Sequence, residues 1–101
     1  MNVNHGFRAT MTALPGRGDE VVKLLLNAPS LPHEDCVVFL VSRSAGDPDV
    51  VSVTEGWTSR QAHATFFATE PAQALVASLQ PLLTGDSAYL DEVPVGGKAA
   101  F

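Results

Sequence analysis

The stretch from Val50 to Phe67, VVSVTEGWTSRQAHATFF, most narrows what this chain can fold into. Val50 to Trp57 reads as a strand that ends in Glu55-Gly56-Trp57. A helix follows after a single cap, because Thr58-Ser59-Arg60-Gln61 has the spacing of a capping box with Thr58 or Ser59 as the cap. That helix carries His63, Phe66 and Phe67. The only Trp, one of three His and two of five Phe therefore fall within one strand-to-helix junction.

The rest of the chain supplies partners for this junction. Phe7 to Leu14 alternates, with Phe7, Ala9, Met11 and Ala13 on one side and Arg8, Thr10 and Thr12 on the other, the period of a half-buried strand. Pro15-Gly16-Arg17-Gly18 ends it in a turn. A helix capped by Gly18 or Asp19 follows, with Asp19 and Glu20 at its positive end and a broad stripe of Val21, Val22, Leu24, Leu25 and Leu26. Asn27-Ala28-Pro29 closes it. Cys36 to Val41 is a continuous apolar run, the pattern of a strand covered on both faces. The turn residues Ala45 to Asp49 join it to Val50–Trp57 as a hairpin with a loop of about five residues. Thr69-Glu70-Pro71 marks a second helix start, Pro71 in its first turn and Pro81 placed to kink its end. A last strand fits Ser87 to Val95.

The order β-α-β-β-α(α)-β predicts an α+β fold of the ferredoxin-like type, an antiparallel four-stranded sheet with helices on one face. One domain spans residues 1–101, with its core at about 7–95 and loose tails at 1–6 and 96–101. Charged residues make up 17% of the chain, below the usual ~25%, which points to surface covered by a second copy and so to a homodimer.

Charge and composition exclude several function classes. A net charge of −5 with six scattered Lys and Arg argues against nucleic acid and anionic membrane as partners. No apolar run approaches the ~20 residues of a membrane span, and no signal-peptide pattern is visible, so a cytoplasmic protein is the default expectation. Cys36 is the only cysteine and reads as a small buried residue. His33-Glu34-Asp35-Cys36 resembles ligand chemistry, but consecutive positions entering a strand point to alternating faces, so no metal site is expected there. Gly16-Arg17-Gly18 lacks the remainder of a phosphate-binding loop, which leaves flavin and nicotinamide cofactors unsupported.

Four pieces in order carry a family resemblance. Leu14-Pro15-Gly16-Arg17 precedes an acidic helix start, and Glu34-Asp35-Cys36 steps into the second strand. Glu55-x-Trp57-x-Ser59 runs into a helix, and Leu82-Leu83 precedes the last strand. Together they resemble the antibiotic biosynthesis monooxygenase domain of the dimeric α+β barrel superfamily, over roughly Phe7 to Val93. The resemblance implies a homodimer whose two sheets form a barrel, and a small-molecule cleft between sheet and helices in each subunit. Some members oxygenate polyketide or quinol-type aromatics with molecular oxygen and no cofactor; others degrade haem. Three departures stand out. Phe66 occupies the position, eleven after the motif Glu, where many members carry His, and the nearest His is His63. Val53 stands where quinone-forming members often have Asn. The first strand lacks the Asn, and Phe67 replaces the helical His, that haem-degrading members use, so haem degradation is discounted.

The candidate site residues each carry two readings. Trp57 is a donor or stacking surface for a ligand, or a core wedge between strand and helix. His63 shares a helix face with Phe66 and Phe67; it is a base on a cleft wall, or a half-solvated His at the edge of an apolar patch. Phe66 and Phe67 are substrate-binding aromatics or core. Glu55 is a cleft base if desolvated, or a structural ion-pair partner. Tyr89 donates to a ligand or is tethered in the core. The expected function is a cofactor-independent monooxygenase acting on a small aromatic or quinol, with His63 and Trp57 catalytic. The alternative is a non-catalytic small-molecule-binding or structural protein of the same fold.

Overall fold

The computed structural model of the protein describes residues 2–99. The outermost residues of the two expected tails, residue 1 and residues 100–101, lie outside the described residues. The elements in chain order are β1 (His5–Thr12), α1 (Gly18–Leu26), β2 (Cys36–Ser44), β3 (Asp47–Trp57), α2 (Arg60–Phe67), α3 (Glu70–Leu79) and β4 (Ala88–Glu92). α3 ends at Leu79, two residues before Pro81, and a 3-10 turn over Gln80–Leu82 contains the proline. The sheet runs β2-β3-β1-β4 with all neighbours antiparallel, the ferredoxin-like plan that the pattern predicts.

Register determines what can meet what. On the inner face, Phe39, Glu55, Phe7 and Asp91 form one row across all four strands. Val41, Val53, Ala9 and Tyr89 form the next. On the outer face, Leu40, Thr54, Arg8 and Leu90 lie in register. The main core packs Ala9, Met11, Val51 and Val53 of the sheet against Val21 and Leu25 of α1 and Leu79 of α3. A second cluster joins Trp57 to Phe66 and Ala72, so the strand-to-helix junction has its own core.

Helix starts follow local chemistry with one exception. Ser59 caps α2 by accepting the Ala62 N–H at 3.0 Å, and Thr69 caps α3 by accepting that of Ala72. In α1 neither Gly18 nor Asp19 does so. Asp49 of β3 reaches across instead, accepting the N–H groups of Gly16 at 3.0 Å and Gly18 at 2.9 Å. Asp19 turns outward to Arg43 at 2.7 Å. Gly18 permits the approach, since a Cβ there would lie 2.3 Å from the Pro48 carbonyl oxygen. Asp49→Ala removes both acceptors from the positive end of α1 and is expected to cost about 1–2 kcal/mol. Chemical denaturation measures this, and an unchanged midpoint would contradict the cross-strand cap.

Three boundaries differ from expectation. The β2–β3 loop is only Ala45-Gly46, because Asp47 and Pro48 already belong to β3. Pro48 is tolerated because β3 pairs with β1 only from Val50 onward, so no ladder bond on that side is lost. β4 ends at Glu92, the partner of Gly6, and Val93 to Val95 lie outside any strand. At the other end, β1 begins at His5, not Phe7, and His5 pairs with Trp57. The segment expected to be a loose tail thus contributes a buried strand residue.

Candidate functional site

A cavity of about 370 Å³ lies between the inner sheet face and the helices. This is within the ~300–1,000 Å³ typical of small-molecule pockets. Phe7, Phe39, Val53 and Tyr89 line it from the sheet; Phe66 and Phe67 from α2; Leu75, Val76 and Leu79 from α3. The row Phe39–Glu55–Phe7–Asp91 places one carboxylate, Glu55, in this largely apolar wall, with His63 of α2 above it.

Glu55 is held from two sides. Its Oε1 accepts the Trp57 indole N–H at 2.9 Å, and His63 Nε2 lies 3.8 Å from the same oxygen. Burial raises the Glu55 pKa above its ordinary value, and the Trp57 hydrogen bond offsets part of that rise. Burial lowers the His63 pKa; the neighbouring His5 lowers it further, while Asp91 acts in the opposite sense. The two shifts bring the pKa values of Glu55 and His63 toward each other, as in sites that move protons.

His63 is the hinge of the arrangement. Its ring lies 5.0 Å from both Phe7 and Trp57, and its Nδ1 meets His5 Nε2 at 3.2 Å. His5 Nε2 also lies 3.3 Å from Asp91 Oδ1. A smaller crevice outside the cavity is lined by His5, Arg60, Asp91 and again Phe7, His63 and Phe67. His63 thus stands in the wall between the cavity and the smaller crevice, with Nε2 toward Glu55 and Nδ1 toward His5.

Five of the six expected site residues gather around the cavity: Glu55, His63, Phe66, Phe67 and Tyr89. Phe66 is buried and also packs on Trp57, so it is wall and core together. Phe67 is 48% exposed and Tyr89 62% exposed, which puts both at the rim. Tyr89 is not tethered in the core; its ring stacks on Phe7 at 6.2 Å.

Trp57 is the sixth, and its expected contact with a ligand needs correction. It is 0% exposed, does not line the cavity, and packs between His33, His63 and Phe66. Its only indole N–H is already given to Glu55. Trp57 can act on a ligand only through the lining residues it touches, Glu55 by its hydrogen bond and His63 and Phe66 by packing.

His5 and Asp91 are what sequence reasoning missed. The alternation of Phe7, Ala9 and Met11 extends backward by one step to His5, and that step was the available signal. His33 and Cys36 stay apart from the site. His33 Nδ1 accepts the Asp35 N–H at 3.1 Å, and its ring packs on Trp57 and Phe66. Burial, helped by the Glu55 charge, pushes the Cys36 thiol up to about 11. Its alkylation by iodoacetamide at pH 8 is expected to be roughly a hundredfold slower than that of a free cysteine. Cys36 is half-buried, and a rate matching free cysteine would contradict an inert thiol there.

The antibiotic biosynthesis monooxygenase family profile matches residues 6–78. A Chloroflexus aurantiacus protein provisionally described as an antibiotic biosynthesis monooxygenase is 31% identical, with TM-score 0.80, covering 94% of this chain and 96% of that one. Similarly described proteins share the fold. That from Deinococcus radiodurans is 20% identical (TM-score 0.82; coverage 96% and 98%). That from Caulobacter crescentus is 23% identical (TM-score 0.81; coverage 93% and 92%). Among curated proteins, none matches the chain.

Proposed function

Since the chain belongs to the antibiotic biosynthesis monooxygenase family, we propose that its cavity oxygenates a small, electron-rich aromatic of the anthrone or hydroquinone class. The observation that carries this reading is Glu55, a desolvated carboxylate set in an apolar wall beside His63. The proton-accepting role expected of His63 passes to Glu55, because His63 directs Nδ1 to His5 and Nε2 to Glu55. His63 becomes the partner that shares the proton, and Trp57 the positioning residue that fixes the carboxylate.

For an activated methylene the steps balance without an added reductant. Glu55 takes one C–H proton and leaves a carbanion stabilised by the aromatic system. The carbanion gives one electron to dioxygen, and the substrate radical and superoxide combine as a C–O bond. The resulting peroxide takes a proton back, loses water across the O–O bond and leaves a carbonyl. One substrate and one dioxygen thus become one oxygenated product and one water. The phenyl rings of Phe7, Phe39, Phe66 and Phe67 keep the anion in a dry cavity, where nearby charge and dipoles act strongly.

We also propose that the protein is a homodimer joined through the outer sheet face, where Leu40 and Leu90 are exposed in the row that includes Thr54 and Arg8. Light scattering is expected to give twice the 10.6 kDa chain mass. Leu90→Asp is expected to shift the population toward monomer; a wild-type monomer at micromolar concentration would contradict the proposal. Among the described residues no helix is long and apolar enough to cross a membrane.

Oxygen uptake with a panel of anthrones and hydroquinones in metal-free buffer tests the activity. The expected result is a rate above the buffer background that falls in His63→Ala. A compound that raises the melting temperature and is recovered unchanged, with no uptake across the panel, would make the cavity a binding site without turnover.

A further inference from the structure

We propose that the crevice beside the cavity binds a divalent first-row transition metal through His5 Nε2, His63 Nδ1 and the Asp91 carboxylate. The inference concerns a different ligand from the aromatic above and does not depend on that reading. Three chain segments meet here. His5 opens β1, Asp91 lies on β4 opposite Phe7, and His63 projects from α2 over the same inner face.

The spacing is that of ligands around one ion. Atoms bound at about 2.1 Å to a single tetrahedral or octahedral centre lie roughly 3.0–3.4 Å apart. His63 Nδ1 and His5 Nε2 are 3.2 Å apart, and His5 Nε2 and Asp91 Oδ1 are 3.3 Å apart. All three ligand atoms fall within 4.8 Å of one another, the only such group of three among the described residues. The widest separation closes by rotating Asp91, whose side chain is 63% exposed, while His5 is buried at 6% and provides a fixed post.

The surroundings orient the ligands as metal sites do. A histidine bound to metal through one nitrogen usually directs the other N–H to a carboxylate. With Nδ1 of His63 on the metal, its Nε2–H faces Glu55 Oε1 across 3.8 Å, a gap wider than a hydrogen bond, and Glu55 is itself fixed by the Trp57 N–H. Metal capture therefore keeps His63 in the tautomer that leaves the Glu55 carboxylate open to accept a proton.

The donor set selects the class of ion. Two imidazoles and one carboxylate suit zinc and its neighbours, whereas calcium and magnesium need more oxygen ligands. Arg60 lines the same crevice and its charge opposes a cation there, so the site depends on the coordinate bonds of the two imidazoles and the carboxylate. Three protein ligands leave at least one position for water.

Calorimetric titration of chelator-treated protein with Zn2+, in buffer that does not bind zinc, tests the site. One ion per chain is expected, with a rise in melting temperature, since the ion ties β1, β4 and α2 together. Asp91→Ala changes an exposed residue, so the fold is retained, and affinity is expected to fall at least tenfold. His63→Ala and His5→Gln are expected to lose affinity similarly, and Co2+ is expected to give a visible absorption band that Asp91→Ala abolishes. Absence of saturable binding would overturn the proposal and leave the three groups as a hydrogen-bonded chain. Binding undiminished in Asp91→Ala would also overturn it, placing the ion elsewhere.

Discussion

Glu55→Gln is expected to slow oxygen uptake by about 10²–10⁴-fold, the usual contribution of a positioned base. The substitution preserves shape. The Gln amide oxygen still accepts the Trp57 N–H that Glu55 Oε1 accepts at 2.9 Å, so the side chain keeps its place in the wall. What disappears is the capacity to take a proton. Circular dichroism should match wild type and the melting temperature should not fall below it, because a buried carboxylate whose pKa is raised by burial costs stability as well as supplying chemistry. A variant that folds as wild type and turns over at the wild-type rate would remove Glu55 from the reaction.

Trp57 carries the second large effect, on stability. Trp57→Ala empties a site that is fully buried against His33, His63 and Phe66. Truncating a buried Trp costs ~3–5 kcal/mol, against a total of ~5–15 kcal/mol for an ordinary domain. The expected result is a loss of tens of degrees in melting temperature, or no folded protein. Trp57→Phe separates packing from chemistry. It refills most of the volume but drops the N–H that holds Glu55, so a folded protein with turnover reduced by about tenfold or more is expected. If Trp57→Phe keeps full activity, the indole is core alone and the positioning role fails.

The fold was legible because its alternations are strong and its helix signals local. Ser59 and Thr69 cap the helices that their sequence announces, and the apolar faces of Ala9, Met11, Val51 and Val53 fall inward as period two requires. What escaped was non-local. Asp49 looks like turn chemistry beside Pro48, yet its carboxylate serves the start of α1, thirty-one residues before it in the case of Gly18. No pattern within a window reveals such a partner. Pro48 hid the start of β3 because only the register of β1 shows that its missing N–H is harmless there.

The site was half legible for the same reason. Glu55 and His63 sit on either side of a capped junction, so their meeting follows from local geometry. His5 and Asp91 come from opposite ends of the chain and meet through the β1–β4 ladder. Trp57 was identifiable as important but not as buried behind Glu55, because a strand-end Trp can turn either to a cleft or to the core. Its burial follows from pairing with His5 at the first residue of β1 and from packing on Phe66.

Isotope tracing tests the central claim most directly. With an anthrone turned over under 18O2 in ordinary water, one labelled oxygen is expected in each product carbonyl and one in water, with one dioxygen consumed per substrate. Labelled product should form well above the buffer background in wild type and at close to the background rate in Glu55→Gln. Product oxygen drawn from water, or labelled product formed at equal rates by the two proteins, would contradict an oxygenation that begins with proton transfer to Glu55.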